Sequence, residues 1–372
     1  MAKNKTYDYV IVGSGFCGIL LASSLNRAGF EVLVLESGNI YTGATSGSEE
    51  LKAELDFLSA SPENFELVQW LSEQFNVGQA PRTVELSPVT FDGGQFKAFL
   101  GFGGRKFQTS DEISYFNNSQ CLVTSDSPQS WWETINAAYA GDRMSPAEVT
   151  AITAKGKSIE NLVVNGATTV SAKNFVFTQS PKDLSELIPM DHNFKGRQKL
   201  AKARAWTAIT LEYVHSIPQS ENRAFHFLMG TKDDAEPIVG RFFDPTSDGL
   251  QKSQWMTLCA SDLTEDDEYV GGVIRHMKRQ IKRAYGEALD HLNWEKITVH
   301  PHSHGHLDVN FKNPGQLADF ENLYAISHLV DTQPGLSGRL NSAISFLKAI
   351  GAQSEVAAPA QDVPLAHPEA SC

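Results

Sequence analysis

The sequence predicts an α/β protein: a βαβ unit and a mid-chain β-meander, with an inserted α+β segment that carries an antiparallel sheet. Three observations predict it. A strand-like run, Tyr7–Val12, passes straight into a glycine-rich turn, a helical pattern and a second strand ending at Leu35. Short strand-like runs and turns then fill residues 148–181. Between 201 and 259 further strand-like runs alternate with polar turns, and one long helical pattern follows them. The length of 372 residues fits two domains at roughly 150 residues each, or one large interleaved one.

Tyr7-Asp8-Tyr9-Val10-Ile11-Val12 is β-branched and aromatic, so it reads as a buried strand. Gly13-Ser14-Gly15-Phe16-Cys17-Gly18 follows without a spacer. Ile19–Ala28 puts Leu20, Leu21 and Leu25 at helical spacing, and Gly29 ends that helix. Glu31–Leu35 is the second strand, closed by Glu36 and Ser37. Each part has a mechanical reason. Gly13 permits the tight turn, Gly15 lets backbone approach a pyrophosphate, and Gly18 lets the helix pack on the strand. The helix N-terminus offers free N–H groups and a partial positive charge to phosphate. Ser14, Phe16 and Cys17 lie in the same turn and complete the pyrophosphate candidates. Glu36 stands where a carboxylate can accept hydrogen bonds from ribose hydroxyls, and Ser37 joins it as a cofactor-binding candidate. An acid there disfavours a 2′-phosphate and sets NADP last. The whole context is Rossmann-like and predicts a dinucleotide site.

Composition narrows the class. Apolar residues make up 41% and charged residues 20%, enough for a sizeable core and too apolar for a disordered chain. A net charge of −13 argues against nucleic acid or an anionic membrane as the main partner. No apolar run reaches the roughly 18 residues of a membrane helix, and no secretory signal is seen. Cys17, Cys121, Cys259 and Cys372 are scattered without a CxxC pair. A soluble, cytoplasmic setting is expected.

The glycine pattern serves FAD and NAD alike, and the rest of the chain separates them. Regular βα units would continue a nicotinamide dehydrogenase. Here Gly38–Glu50 is polar and irregular, and helical patterns follow at Leu51–Leu58 and Phe65–Phe75. A second glycine cluster, Gly101-Phe102-Gly103-Gly104-Arg105, comes later. The meander turns near Ala154–Lys157 and at Asn165-Gly166, and ends in the apolar strand Asn174–Phe177. Near the carboxyl end come Glu321–His328, Pro334–Arg339 and a helix to about Ile350.

In that order the three blocks resemble the FAD-dependent amine oxidase superfamily, which includes protoporphyrinogen oxidase and phytoene desaturase-like proteins. The resemblance spans about 130 residues; the intervening segments match in layout rather than in motif. It implies a discontinuous FAD-binding domain (1–50, 145–190 and 300–356), a substrate or cap domain (51–144 and 191–299) and a flexible tail (357–372). It also implies that Gly13–Gly18 hold the pyrophosphate, that Glu36 holds the adenosine ribose, and that Val149 pairs its backbone with adenine. The helix from Leu336 would point its N-terminus at the flavin pyrimidine edge, where reduced flavin is negative.

Two departures stand out. The family's Gly-Gly-Arg after the ribose acid is missing; Gly103-Gly104-Arg105 either supplies that arginine from a distance or is a surface turn. The family's carboxyl-terminal Gly-Asp or Gly-Glu is replaced by Ser327-His328, which removes an acid from the cofactor's neighbourhood. Gly101–Arg105 and Asn322-Leu323-Tyr324 also echo glucose–methanol–choline oxidoreductases, a second-ranked reading because Leu329 follows His328.

The inserted region offers strand-like runs at Thr207–Val214, Ala224–Met229, Pro237–Phe243 and Gln254–Leu258. A helix over Asp266–Leu292 would bury Val273, Met277, Ile281, Tyr285 and Ala288. Trp206, Phe225, Phe227, Phe242, Phe243 and Trp255 serve either a pocket or plain core packing. His300-Pro301-His302-Ser303-His304-Gly305-His306 could turn four imidazoles one way. Pro301 and Gly305 break strand geometry, so structural or pocket-lining roles are favoured over a metal site. Cys372 would be a free thiol on the tail. The expected activity is FAD-dependent hydride transfer from a small, partly apolar substrate, an amine or a C–C or C–O centre, with no catalytic residue assigned. The alternative is a flavin-fold protein without catalysis that serves a protein partner.

Overall fold

The computed structural model describes residues 5–37, 55–192, 194–202, 204–221, 223–230 and 235–352. Expectations for Gly38–Glu50, for the start of the 51–58 pattern and for the 357–372 tail with Cys372 lie outside the described residues. The eight helices among them are α1 (Phe16–Arg27), α2 (Pro62–Phe75), α3 (Ser110–Ser114), α4 (Pro128–Ala138), α5 (Pro181–Leu187), α6 (Arg197–Lys202), α7 (Asp267–Tyr285) and α8 (Gly335–Ala349). None is long and apolar enough to cross a membrane.

A nine-stranded sheet carries the amino-terminal strand Thr6–Val12 at its centre. Val32–Leu35 pairs parallel on one side and Thr168–Phe177 on the other. Asp142–Met144 and Leu323–Ala325 extend the parallel block outward. Both faces of the central strand are covered, which its β-branched composition requires. Tyr9 and Ile11 face the core formed with α1, α2, α4 and α8, whereas Val10 and Val12 face the meander, α5 and α6. Complete burial of Ile11 contributes about 1.5–3 kcal/mol. The meander strands Val149–Lys155 and Ser158–Val164 pair antiparallel and join Thr168–Phe177.

The second sheet has seven strands, in the order Leu292–His304, Trp206–His215, Gln251–Ala260, Ile238–Phe242, His226–Leu228, Val89–Asp92 and Gln95–Ala98. Met277 and Ile281 of α7 seal one face against Leu211 and Trp255. Phe57, Phe116, Phe225 and Phe227 fill the other, with Phe99 and Phe227 stacked at 3.9 Å. Phe225, Phe227, Phe242 and Trp255 are therefore core, not pocket lining.

The structure corrects several expectations. Within 51–144, which the resemblance gave to a cap, α2 and α4 pack on α1 and α8, and Asp142–Met144 pairs with Val32–Leu35 in the parallel sheet. The described end of the 51–58 pattern is not helical, because Leu58–Ser59 pairs with Cys121 and Leu122 as a strand. The helix expected to Leu292 stops at Tyr285, where Gly286 turns with φ +56°, and Leu292 opens the edge strand instead. That strand runs on to His304, so the histidine segment belongs to the second sheet and bridges to the first.

Candidate functional site

A cleft of about 440 Å³ opens where the glycine turn, the end of the strand Thr168–Phe177, the histidine segment and the start of α8 converge. Gly13 has φ +106°, a conformation that favours glycine. A Cβ on Gly18 would stand 2.0 Å from the Gly13 carbonyl oxygen, so only glycine lets α1 sit this close to the turn. Gly15 is the N-cap of α1; no side chain caps the helix and no acid lies in its first turn. Its first N–H groups are therefore available to an anion in the cleft. Trp132 of α4 clamps the turn by donating its indole N–H to the Ser14 carbonyl at 3.0 Å. Phe16 and Cys17 line the cleft with Gly13, Ser14 and Gly15. The Cys17 thiol donates to the Arg339 carbonyl, and burial pushes its pKa up to about 12, so it stays a neutral thiol.

Glu36 follows the strand Val32–Leu35 and pairs with Arg143 at 2.6 Å. Arg143 in turn donates to Asn136 at 2.8 Å, and backbone bonds from Glu36 to Met144 and from Ala147 to Glu36 fix the chain beside it. Ser37 lines the cleft. Val149 lies just beyond Ala147, opposite Val164, away from the cleft lining. Arg105 is elsewhere: it donates to the Gly230 carbonyl at 2.8 Å and lies over Phe107. Gly103 and Gly104, both at positive φ with open space around them, form the turn that the glycine cluster allowed as its other reading.

At the other end of the cleft stands the start of α8 (Gly335–Ala349). Leu336 is buried in the core, and the cleft wall is built from Gly335 and Arg339. Against the α8 N-terminus lies the fully buried Asp56 carboxylate, whose oxygens would be 2.7 and 3.0 Å from a Cβ on Gly335. Asp56 pairs with Arg339 and accepts from the Tyr115 hydroxyl at 2.9 Å. Arg339 is the only arginine or lysine among the described lining residues. Neither Asp56 nor Arg339 carries a motif that marks it in the sequence, though Arg339 sits in the Gly335–Arg339 run.

Ser327 and His328 both line the cleft, as do His300, His302 and His304. His328 Nε2 donates to the Ser303 carbonyl at 2.9 Å, and His304 Nδ1 meets the Ser303 hydroxyl at 3.0 Å. Burial lowers the pKa of His300 and His328 to about 4, and that of His304 to about 3; Arg339 adds repulsion at the last two. These three are neutral imidazoles. His302 Nδ1 lies 2.8 Å from Asp183 of α5. His306 turns away to the Asp331 carbonyl and lines a neighbouring cavity of about 220 Å³. The four imidazoles thus do not converge, and no metal-holding cluster occurs among the described residues.

Residues 11–61 match the family described as an NAD(P)-binding Rossmann-like domain. Among solved structures, an oxidoreductase from Methanosarcina mazei is similar over 91% of this chain and 99% of its own, at 13% identity and a TM-score of 0.64. Cyclohexylamine oxidase from Brevibacterium oxydans is similar over 94% and 98%, at 11% identity and a TM-score of 0.63. Putrescine oxidase bound to putrescine gives 94% and 100%, 10% and 0.60. The chain has the amine oxidase fold. No curated protein matches its sequence. The amine oxidase fold bears out the α/β architecture with a Rossmann-like domain and an antiparallel second sheet. Neither the glucose–methanol–choline reading nor the non-catalytic one gains support from these likenesses.

Proposed function

We propose that the protein is a FAD-dependent oxidoreductase acting on a small, partly apolar organic substrate. The observation that carries this reading is the uncapped amino end of α1, opening with its glycine turn into the cleft of about 440 Å³ in an amine oxidase fold. The donor set fits a dinucleotide. Gly13 and Gly18 form a cradle that a Cβ would fill, and the amides of Phe16, Cys17 and Gly18 are donors for a diphosphate. Arg339 brings positive charge to the same wall. Glu36, held by Arg143, and Ser37 are the residues for the adenosine ribose, and the Val149 backbone is the partner for adenine. Ser327 and His328 take the place of the family's Gly-Asp. When bound, FAD supplies the acceptor for two electrons. The chain's own share is positioning and electrostatics: Trp132 fixes the turn, and the Asp56–Arg339 pair sets the charge at the start of α8. The nucleotide-binding part comprises 5–37, 142–192, 194–202 and 311–352 with α2 and α4 packed on it, and the substrate part comprises 82–121 and 204–304. A cytoplasmic setting belongs to the same proposal.

The test is the visible spectrum of the protein purified without added cofactor, with the released chromophore identified by mass. Oxidised-flavin bands and the mass of FAD are expected, and Gly18→Ala should lose both. A colourless protein that takes up no added FAD would overturn the reading.

A further inference from the structure

A separate cavity, of about 570 Å³, lies between α7 and the end of the second sheet where Trp206 pairs with Ala260. None of the described residues that line it lines the cleft. Its α7 wall holds Gln280, a side chain only 6% exposed whose Oε1 is buried and has no hydrogen-bond partner among the described residues. A buried carbonyl left without a partner is costly, and an apolar side chain of similar shape avoids that cost. Glu236 lines the same cavity. Its carboxylate is held by the backbone N–H groups of Gln108 and Thr109, both at 3.1 Å, and by the Thr109 hydroxyl at 2.6 Å. Gly272 of α7 also lines it, and a Cβ there would meet only the Arg275 guanidinium, at 3.9 Å. Crowding therefore does not demand this glycine, which a helix interior disfavours, and its missing side chain leaves the cavity open.

We propose that this cavity is a binding site for a nucleoside monophosphate, separate from the cofactor cleft. A carboxamide sets an acceptor beside a donor, and the edge of a nucleobase answers both at once. Gln280 is the group for that edge: with the base seated, its Oε1 gains the N–H that it lacks. Glu236 accepts a further N–H. Trp206 and Tyr269 line the same space and offer aromatic surface to the base. Arg279, exposed and next to Gln280 on α7, forms no ion pair among the described residues and supplies positive charge for the phosphate. Simpler ligands answer only part of this set. An alkyl ammonium would meet the two acceptors and be repelled by Arg279, whereas a fatty acid would meet Arg279 and leave Gln280 bare. A free amino acid would fill a minor part of a cavity larger than the cleft itself.

The experiment titrates the full chain, with FAD in excess, by isothermal calorimetry against 5′-AMP, adenosine, inorganic phosphate and L-phenylalanine. Saturable binding of 5′-AMP at one site is expected, with adenosine weaker by about fivefold because it lacks the charge that meets Arg279. Arg279→Gln should bring 5′-AMP down to the affinity of adenosine and leave adenosine unchanged. Gln280→Leu should weaken both roughly ten- to a hundredfold. The same substitution should not lower the urea midpoint of the ligand-free protein, since it removes a carbonyl that nothing satisfies; a glutamine kept for the fold would lower it. Gly272→Leu should fill the cavity and abolish binding, and Gln280→Leu carries the test if that variant fails to fold. No binding of 5′-AMP, or binding undiminished in folded Gln280→Leu or Gly272→Leu protein, would overturn the assignment. So would inorganic phosphate or L-phenylalanine binding as tightly as 5′-AMP. Displacement of 5′-AMP by rising FAD would place it in the cleft and overturn the assignment as well.

Discussion

A carboxylate with no exposed surface persists only beside groups that take up its charge, and Asp56 has Arg339, Tyr115 and the start of α8. Those partners also explain why the sequence hides it: Tyr115 is 59 residues away and Arg339 283. Removing one member of such a pair leaves the other charge buried. Asp56→Ala should therefore lower stability by about 3–5 kcal/mol, and urea unfolding of the two proteins checks it. A loss below about 1 kcal/mol would mean that water or nearby groups replace the carboxylate. The residues of the glycine turn are the opposite case. Their work depends on backbone freedom and on position next to a strand, and both are written locally. Arg105 shows the limit of that logic, since glycines around an arginine look alike in a phosphate loop and in an exposed turn.

Among the elements, four strands of the second sheet were legible as strand-like runs, with ends displaced by a few residues, whereas its longest, Leu292–His304, was not. Nor was their packing. Gly240 in the strand Ile238–Phe242 reads as an interruption, yet a Cβ there would stand 2.2 Å from the Trp255 ring and 2.7 Å from the Gln254 carbonyl. The glycine lets the indole lie flat across the neighbouring strand. Gly240→Ala should destabilise the protein by about 1–3 kcal/mol through overpacking, and Trp255, fully buried here, should gain exposure. Guanidinium unfolding followed by tryptophan fluorescence tests this, and an unchanged midpoint would refute it. The helices α2 and α4 teach a related lesson. Each is amphipathic and capped by a serine before a proline, so their existence is local chemistry, whereas the surface they cover is not.

Across the whole molecule, buried imidazoles couple the fold to pH. His215, fully buried between Ala288 and Ser253, has its pKa lowered to about 4 by desolvation, and the three neutral cleft histidines add to it. An unfolded histidine titrates near about 6.5, so below that pH the unfolded chain binds more protons than the folded one. Their stabilisation is complete above about 6.5 and is lost as pH falls toward 4. The urea midpoint should thus drop steadily from pH 7 to 4.5, and His215→Gln should make the slope shallower; a flat profile would count against it. What the sequence determined by itself was the βαβ unit with its glycine turn, the meander and the strands of the inserted sheet, because these depend on periodicity, glycine and caps within short windows. Tertiary structure alone decided that Asp56 meets α8, that Arg143 holds Glu36, and that Asp183 faces His302. Each of those pairs joins residues more than a hundred positions apart, and charge at such a distance is set by where sheets and helices stack, which no local pattern encodes.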